Sequence, residues 1–156
     1  MREELEMQWK WKDWSSLSTE ELYALLALRQ EVFVVEQDCP YQDADGLDSR
    51  AHHLLGYVEN ALVAYARAFA PGEVYAEAAI GRVITAASIR GQGQGRPLMR
   101  EAMDCVQRTY GPTAIKLSAQ AHLEPYYRSL GFEVCGEGYD EDGIPHLPMR
   151  CEAPGV

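Results

Sequence analysis

A run rich in β-branched residues that leads into three closely spaced glycines is the feature that most constrains this chain. The run includes residues 82–90, and Gly91, Gly93 and Gly95 stand just before an amphipathic segment. Glycine adopts backbone angles that other residues disfavour, and the first amide groups of a helix attract an anion. Pro97 is tolerated only near the start of a helix. The pattern therefore predicts a strand, a tight turn and a helix whose start binds phosphate.

Spacing excludes two common phosphate-binding loops. A dinucleotide-binding loop needs the pattern G-x-G-x-x-G, but counting from Gly91 places Arg96 last, and counting from Gly93 places Leu98 last. A Walker A loop ends in Gly-Lys-Ser or Gly-Lys-Thr, whereas Arg-Pro follows the third glycine here. The structural alternative is a flexible surface turn, and the strand and helix predicted on either side argue against it.

Length and composition indicate one compact domain. The chain has 156 residues, 47% of them hydrophobic, which suffices for one core, and we expect a single domain over residues 1–156 with its core at about 7–151. No run approaches the roughly 18 apolar residues of a membrane span, and the first residues lack the basic start and apolar centre of a signal peptide. We therefore expect a cytoplasmic protein with no membrane partner.

The net charge and the cysteine spacing exclude some classes of ligand. The net charge of −10 argues against nucleic acid and favours cationic ligands. The four cysteines contain no C-x-x-C pair, so they are expected to be reduced thiols and not zinc ligands. Calcium is not expected in the acidic segment 37–49, because Ser49 and Leu54 stand where an EF-hand would need glutamate. No metal is predicted.

Hydrophobic periodicity predicts alternating strands and helices. A capping box at residues 18–21 begins a helix that we extend to about Glu36, and Gly131 is a suitable residue to end the last helix. The predicted strands are 6–12, 53–58, 62–69, 74–85, 113–119, 132–136 and 146–151, and the other helices are 94–108 and 121–130. This order predicts an α+β fold, a sheet with helices on both faces.

Two motifs carry a resemblance to a known family. The pattern Arg90-x-x-Gly93-x-Gly95 resembles the acyl-CoA pyrophosphate loop of the GNAT superfamily of N-acetyltransferases. Residues 127–132, Tyr-Arg-Ser-Leu-Gly-Phe, are similar to the family's Tyr-x-x-x-Gly-Phe. The resemblance implies a GNAT-like mixed, mostly antiparallel central sheet with a splayed acyl-CoA-binding strand pair, and acetyl-CoA as the co-substrate.

Further segments are similar to the ElaA-like branch of that superfamily. They are residues 29–37, 39–42, 45–46, 53–54 and 142–146, the last reading Asp-Gly-Ile-Pro-His. The likeness covers nearly the whole chain. The resemblance implies the acyl-transfer reaction but does not identify the acceptor.

The resemblance assigns the cofactor-binding residues. It places the pantetheine arm along the main chain of Val83, Ile84 and Thr85, whose side chains have an ordinary core as their competing explanation. It places the pyrophosphate on the loop formed by Arg90, Gly91, Gln92, Gly93, Gln94, Gly95 and Arg96. Gln120 stands where the family usually has an asparagine that contacts pantetheine.

The catalytic assignments follow from the same resemblance. Tyr127 takes the position of the general acid that protonates the departing thiolate; alternatively it only packs in its helix, and Tyr126 is its neighbour. An alkylammonium needs a base before it can attack a thioester. Among Glu36, His53 and Glu77, a glutamate near the fourth strand favours Glu77 as the base, and Glu36 and His53 are expected to bind substrate. The alternative for His53 is a strand histidine that only satisfies a hydrogen bond. The alternative for Glu36 is a solvated surface carboxylate.

The leading hypothesis is an N-acetyltransferase in which an amine attacks acetyl-CoA directly. The alternatives are an acyl-CoA-binding sensor without turnover and an interaction domain without a nucleotide site. We expect a small-molecule amine or a peptide amine as acceptor, and a homodimer is left open. Asp43, Asp45 and Asp48 are expected to favour a small cationic amine by their charge.

Overall fold

The computed structural model describes residues 6–154. Its strands are β1 (Gln8–Asp13), β2 (His52–Val58), β3 (Ala61–Phe69), β4 (Ala78–Thr85), β5 (Ile115–Gln120), β6 (Glu133–Val134), β7 (Tyr139–Glu141) and β8 (Ile144–Cys151). Its α-helices are α1 (Thr19–Arg29), α2 (Gly95–Tyr110) and α3 (Glu124–Ser129). Within this described part of the chain, none of the helices combines the length and apolarity that crossing a membrane requires.

The chain divides into two compact units, each built from two segments. Unit 1 runs from the start of the described chain to Ala68 and again over Arg82–Ala102. Unit 2 comprises Phe69–Gly81 and the described chain from Met103 onward. Strand β4 and helix α2 each supply residues to both units. The single domain expected over residues 1–156 stays a prediction.

In unit 1, antiparallel strands run in the order β1-β2-β3, followed by the end of β4. The turn between β2 and β3 consists of Glu59 and Asn60, with φ of 49° and 70°. Positive φ at both residues is typical of a type I′ turn, whose twist matches the flanking strands. The predicted strand pair is confirmed, with Ala61 belonging to β3 and not to the turn.

Helix α1 begins as predicted. The Ser18 side chain accepts the amide of Glu21, and the Glu21 carboxylate accepts the amide of Ser18, so the capping box is confirmed. Beyond it, Leu25 and Leu28 are buried in an apolar cluster.

The segment after α1 reaches Glu36, as expected, but Gln30–Glu36 is a π-helix and not α-helix. Residues 32, 34 and 35 are valines. β-Branched side chains lose rotamer freedom against the preceding turn of an α-helix, so this segment has a lower α-helix propensity.

In unit 2, β5 and β8 are antiparallel neighbours, and β6 and β7 both pair with β8. The first part of β4 lies parallel to β5 through Ala78 with Ile115 and Ala79 with Lys116. β5 continues to Gln120 in register with β8. The fold is thus the predicted mixed, mostly antiparallel one, and the short parallel register agrees with a splayed strand pair.

The structure moves the starts of two predicted strands and adds one strand. The strand predicted from Val74 begins at Ala78, because the chain first turns at Gly72, where φ is 89° and the amide donates to the Tyr75 carbonyl over 2.8 Å. Strand β7 was not predicted. The last strand begins at Ile144, after a two-residue turn.

The helices of the second half follow their predictions closely. Leu98, Met99, Ala102 and Val106 of α2 are all buried, as the periodicity indicated. The predicted helix 121–130 begins as a 3-10 turn and continues as α3. Gly131 follows that helix with φ of 100°, as expected for its terminating residue.

Candidate acyl-CoA site

The glycine turn of unit 1 has the predicted geometry. Gly91 and Gly93 have φ of 78° and 75°, and a Cβ added at either would meet no atom within 4 Å. The left-handed backbone is therefore the reason for glycine, since other residues strain there by about 1–2 kcal/mol. The amide of Leu98 donates to the Gln94 carbonyl over 3.2 Å. The amides that precede Leu98 at the start of α2 have no acceptor within the helix, which makes this end suitable for an anion.

Two side chains brace the turn. Arg90 donates from Nε and Nη2 to the Thr85 carbonyl over 3.1 and 2.9 Å. Its Nη2 also lies 2.6 Å from the Glu36 carboxylate. Gln92 donates to the Ser88 carbonyl over 3.3 Å. Glu36 is therefore an exposed carboxylate paired with Arg90, and its predicted contact with substrate stays a prediction.

Strand β4 has an unusual backbone just before the segment assigned to pantetheine. Arg82 has φ of 51°, a conformation that strains a residue with a Cβ. Its Nε lies 2.8 Å from Asp43, and its guanidinium lies over the Phe33 ring, 5.9 Å from the centroid. These contacts stabilise the conformation. Ile84 is buried in the core of unit 1, so its side chain has a packing role and only its main chain is open to the predicted contact.

The aspartates of segment 37–49 form ion pairs with three arginines. Arg29 pairs with Asp43 and Asp48, both at 2.7 Å, Arg67 pairs with Asp45 at 2.8 Å and with Asp48 at 3.0 Å, and Arg82 pairs with Asp43. Burial opposes ionisation of Asp45, but hydrogen bonds from Arg67 and the Leu47 amide, together with the charges of Arg67 and Arg82, outweigh it and lower the pKa of Asp45 to about 2. Since these carboxylates are compensated, the expectation that they attract a cationic acceptor is wrong. We name the six side chains the arginine-aspartate cluster.

His53 is fully buried and uses both ring nitrogens. Its Nε2 lies 2.9 Å from the Asp48 carbonyl, which can only accept, so Nε2 carries the proton. The Tyr65 hydroxyl then donates to Nδ1 over 2.6 Å. Burial lowers the pKa of His53 and keeps the ring neutral. These contacts favour the alternative of a hydrogen-bonded strand histidine, and the expected substrate role of His53 stays a prediction.

In unit 2, Tyr127 lies on α3 with 8% of its surface exposed. Its ring meets those of Phe132 and Tyr126 edge-on, with centroids 6.0 and 5.1 Å away. Burial, aided by Tyr126, raises the pKa of Tyr127 to about 12. The phenol therefore keeps its proton at neutral pH, as a general acid must. Gln120 is the last residue of β5, and both assigned roles stay predictions.

Glu77 precedes β4 and is held by an arginine. Its carboxylate accepts from Arg150 Nε over 2.8 Å. A hydrogen bond from its own backbone amide, and then that from Arg150, hold the pKa of Glu77 below its ordinary value. A carboxylate stabilised in its charged form is a weaker base, which argues against the expected role. Among residues 6–154, no three His, Cys, Asp or Glu side chains are arranged to hold a metal ion.

A left-handed glycine turn at a helix start suits an anionic group such as the pyrophosphate of acyl-CoA. Comparison with known proteins agrees. The model of the acetyltransferase (GNAT) domain matches residues 15–153. Protein ElaA of Escherichia coli is 43% identical over 94% of this chain and 97% of its own length, and a UPF0039 protein of Synechocystis is 44% identical over 96% and 98%.

Solved structures give the same result. A crystal structure of an acyl-CoA N-acyltransferase from Pseudomonas aeruginosa is 46% identical, with a TM-score of 0.91 over 94% of this chain and 99% of that one. The crystal structure of E. coli ElaA has a TM-score of 0.88 at 42% identity, over 94% and 100%. The chain belongs to the GNAT acetyltransferase family and, within it, to the ElaA-like branch. It is an acyl-CoA-dependent transferase.

Proposed function

We propose that the chain transfers an acetyl group from acetyl-CoA to an amine of a small molecule or a peptide. The observation that carries the proposal is the left-handed turn at Gly91 and Gly93, immediately before α2. In this family that turn is expected to hold the pyrophosphate of acyl-CoA, here with Arg90, Gln92, Gln94 and Arg96 beside it. The matching family model describes an acetyltransferase, which favours acetyl over longer acyl groups.

The proposed reaction is a direct attack. The neutral amine nitrogen attacks the thioester carbonyl, while main-chain donors polarise the carbonyl oxygen. The carbon-sulfur bond then breaks, Tyr127 gives its proton to the thiolate, and the extra proton of the new amide nitrogen restores the Tyr127 hydroxyl. The Tyr127 hydroxyl is protonated at neutral pH and so has a proton to give at the start of each cycle, although burial, which raises its pKa to about 12, makes it a weaker acid.

For the acceptor we propose a small cationic amine. The support is the net charge of −10, which favours the approach of cations over long range. The arginine-aspartate cluster does not contribute, because its three carboxylates face three guanidinium groups. The expected salt dependence of the acceptor KM is accordingly modest.

Release of free CoA tests the proposal. Acetyl-CoA is mixed with spermidine, kanamycin or a tripeptide with a free N-terminus, and the thiol is measured over time. Release that depends on one of these amines supports an acetyltransferase. Binding of acetyl-CoA without release for any of them supports a sensor instead, and the absence of thermal stabilisation by saturating acetyl-CoA supports a domain without a nucleotide site.

A further inference from the structure

His146 stands at the centre of a polar surface in unit 2. It lies on β8, directly opposite Gln120 on β5 and opposite Tyr139 on β7. Residues directly opposite each other in antiparallel strands have their side chains on the same face. His146 therefore shares a face with Gln120, the residue assigned to pantetheine.

The hydrogen bonds of His146 fix its protonation. Nδ1 lies 2.7 Å from the Ile144 carbonyl, which can only accept, so Nδ1 carries the proton in the neutral ring. The lone pair is then on Nε2, and the Glu141 carboxylate lies 3.4 Å from that nitrogen. Nε2 is therefore the ring nitrogen of His146 that can take a proton from a ligand.

The ring is held in place and is not sealed off. The Tyr139 ring stacks on it at 18°, with centroids 6.1 Å apart, and the Tyr139 hydroxyl is hydrogen-bonded to Ser118. The His146 side chain is 11% exposed. It can therefore reach a ligand and return a proton to solvent.

The other candidates for the base are engaged elsewhere. Both ring nitrogens of His53 have partners, Glu77 is paired with Arg150, and Glu36 is paired with Arg90. His146 has Nδ1 on the Ile144 carbonyl, and its Nε2 lies 3.4 Å from the exposed Glu141 carboxylate, a longer contact than any of these.

We propose that His146 is the general base that deprotonates the acceptor amine, with Glu141 as its positioning residue; this rests on the proposed function. His146 Nε2 takes one proton from the alkylammonium, and the freed lone pair forms the carbon-nitrogen bond. The carbon-sulfur bond breaks, and the thiolate takes the Tyr127 proton. The surplus proton on the new amide nitrogen restores Tyr127, and the imidazolium releases its proton to solvent.

The test compares two amines that differ in their need for a base. One is whichever of spermidine, kanamycin or the free tripeptide releases CoA fastest; the other is hydroxylamine, which is neutral at neutral pH. His146→Gln should lower turnover of the alkylamine about 10²-fold or more, within the range of lost general base catalysis, and change that of hydroxylamine only a few-fold. Acetyl-CoA affinity and Tm should stay near those of the wild type.

Further variants keep the result independent of folding. Glu141 is exposed, so Glu141→Gln should fold and show a smaller selective loss with the alkylamine. His122→Gln, an exposed histidine of the same unit, should leave both rates unchanged. Raising the pH should restore alkylamine turnover in His146→Gln, because more of the amine is then neutral.

Other groups near His146 can also contribute to this pH dependence. Titratable or charged side chains on the elements packed against β8 are Lys116, His122, Glu133, Tyr139, Asp140 and Glu141.

Three results would overturn the inference. They are unchanged alkylamine turnover in His146→Gln, an equal loss with both amines, and a selective loss in Glu77→Gln without one in His146→Gln, which would make Glu77 the base. If the wild type binds acetyl-CoA but acetylates neither amine, the proposed function itself fails. That outcome differs from an active wild type whose activity does not depend on His146.

Discussion

Replacing Arg29 by methionine measures what the arginine-aspartate cluster contributes to stability. Arg29 has no exposed surface. It donates to the Asp43 and Asp48 carboxylates, each over 2.7 Å, and to the Asp43 carbonyl over 3.0 Å. Methionine keeps most of the length of the side chain and removes the charge. Arg29→Met therefore leaves two buried carboxylates without one of their partners.

The magnitude follows from those contacts. Removing one partner of a buried ion pair typically costs about 3–5 kcal/mol. Asp43 keeps Arg82 and Asp48 keeps Arg67, which favours the lower end, so we expect about 3 kcal/mol. For a chain of this size that corresponds to a fall in Tm of roughly 6–12 °C.

Urea unfolding followed by circular dichroism gives the free energy of unfolding. Arg128→Met is the matched control, because Arg128 pairs with Glu124 on the surface of α3, where such a pair contributes less than about 1 kcal/mol. A loss below about 1 kcal/mol for Arg29→Met, or equal losses for both variants, would refute the reasoning. Arg29→Lys should be intermediate, since it keeps the charge and loses the fork of donors.

Three more outcomes are expected. Gly93→Val should abolish acetyl-CoA binding in calorimetry, because a β-branched residue disfavours the left-handed turn, and it should lower the free energy of unfolding by only about 1–2 kcal/mol, since the space beside Gly93 is open; unchanged affinity would contradict this. Tyr127→Phe should lower turnover about 10²-fold or more at similar acetyl-CoA affinity, and a loss confined to the control Tyr126→Phe would reassign the acid. Burial opposes ionisation of Glu21, but bonds from Lys12 and Ser18 outweigh it and lower its pKa from 4.5 to about 2. Glu21 therefore stabilises the fold above pH 4.5, and this contribution is lost as the pH falls toward 2; parallel pH-stability curves for wild type and Glu21→Gln would exclude it.

The features that could be predicted from the sequence are those whose determinants lie within a few residues of one another. The capping box joins Ser18 to Glu21, and the turn at Gly91 and Gly93 follows directly from glycine spacing. Gly131 ends its helix for the same local reason. Such signals do not depend on the rest of the fold.

The features that could not be predicted depend on distant partners. The sequence indicated a cationic acceptor near Asp43, but Asp43 pairs with Arg29, which lies fourteen positions earlier in the chain. His53 acquires its role from Tyr65, twelve positions later. The π-helix after Arg29 also escaped prediction, because periodicity does not separate it from a continued α-helix. His146 lies in the family-like segment 142–146, but only strand pairing brings Glu141 and Gln120 to it.

Long loops are ordinarily where a chain tolerates insertions, tags and proteolytic cuts. The segment between Glu36 and β2 is an exception, because Asp43 and Asp48 are buried against arginines from the helix and from the sheet of unit 1. The short exposed turn at Glu59 and Asn60 carries no such contacts in the part of the chain described. For splitting or labelling this protein, the two-residue turn is the permissive position, and the long loop should be treated as core.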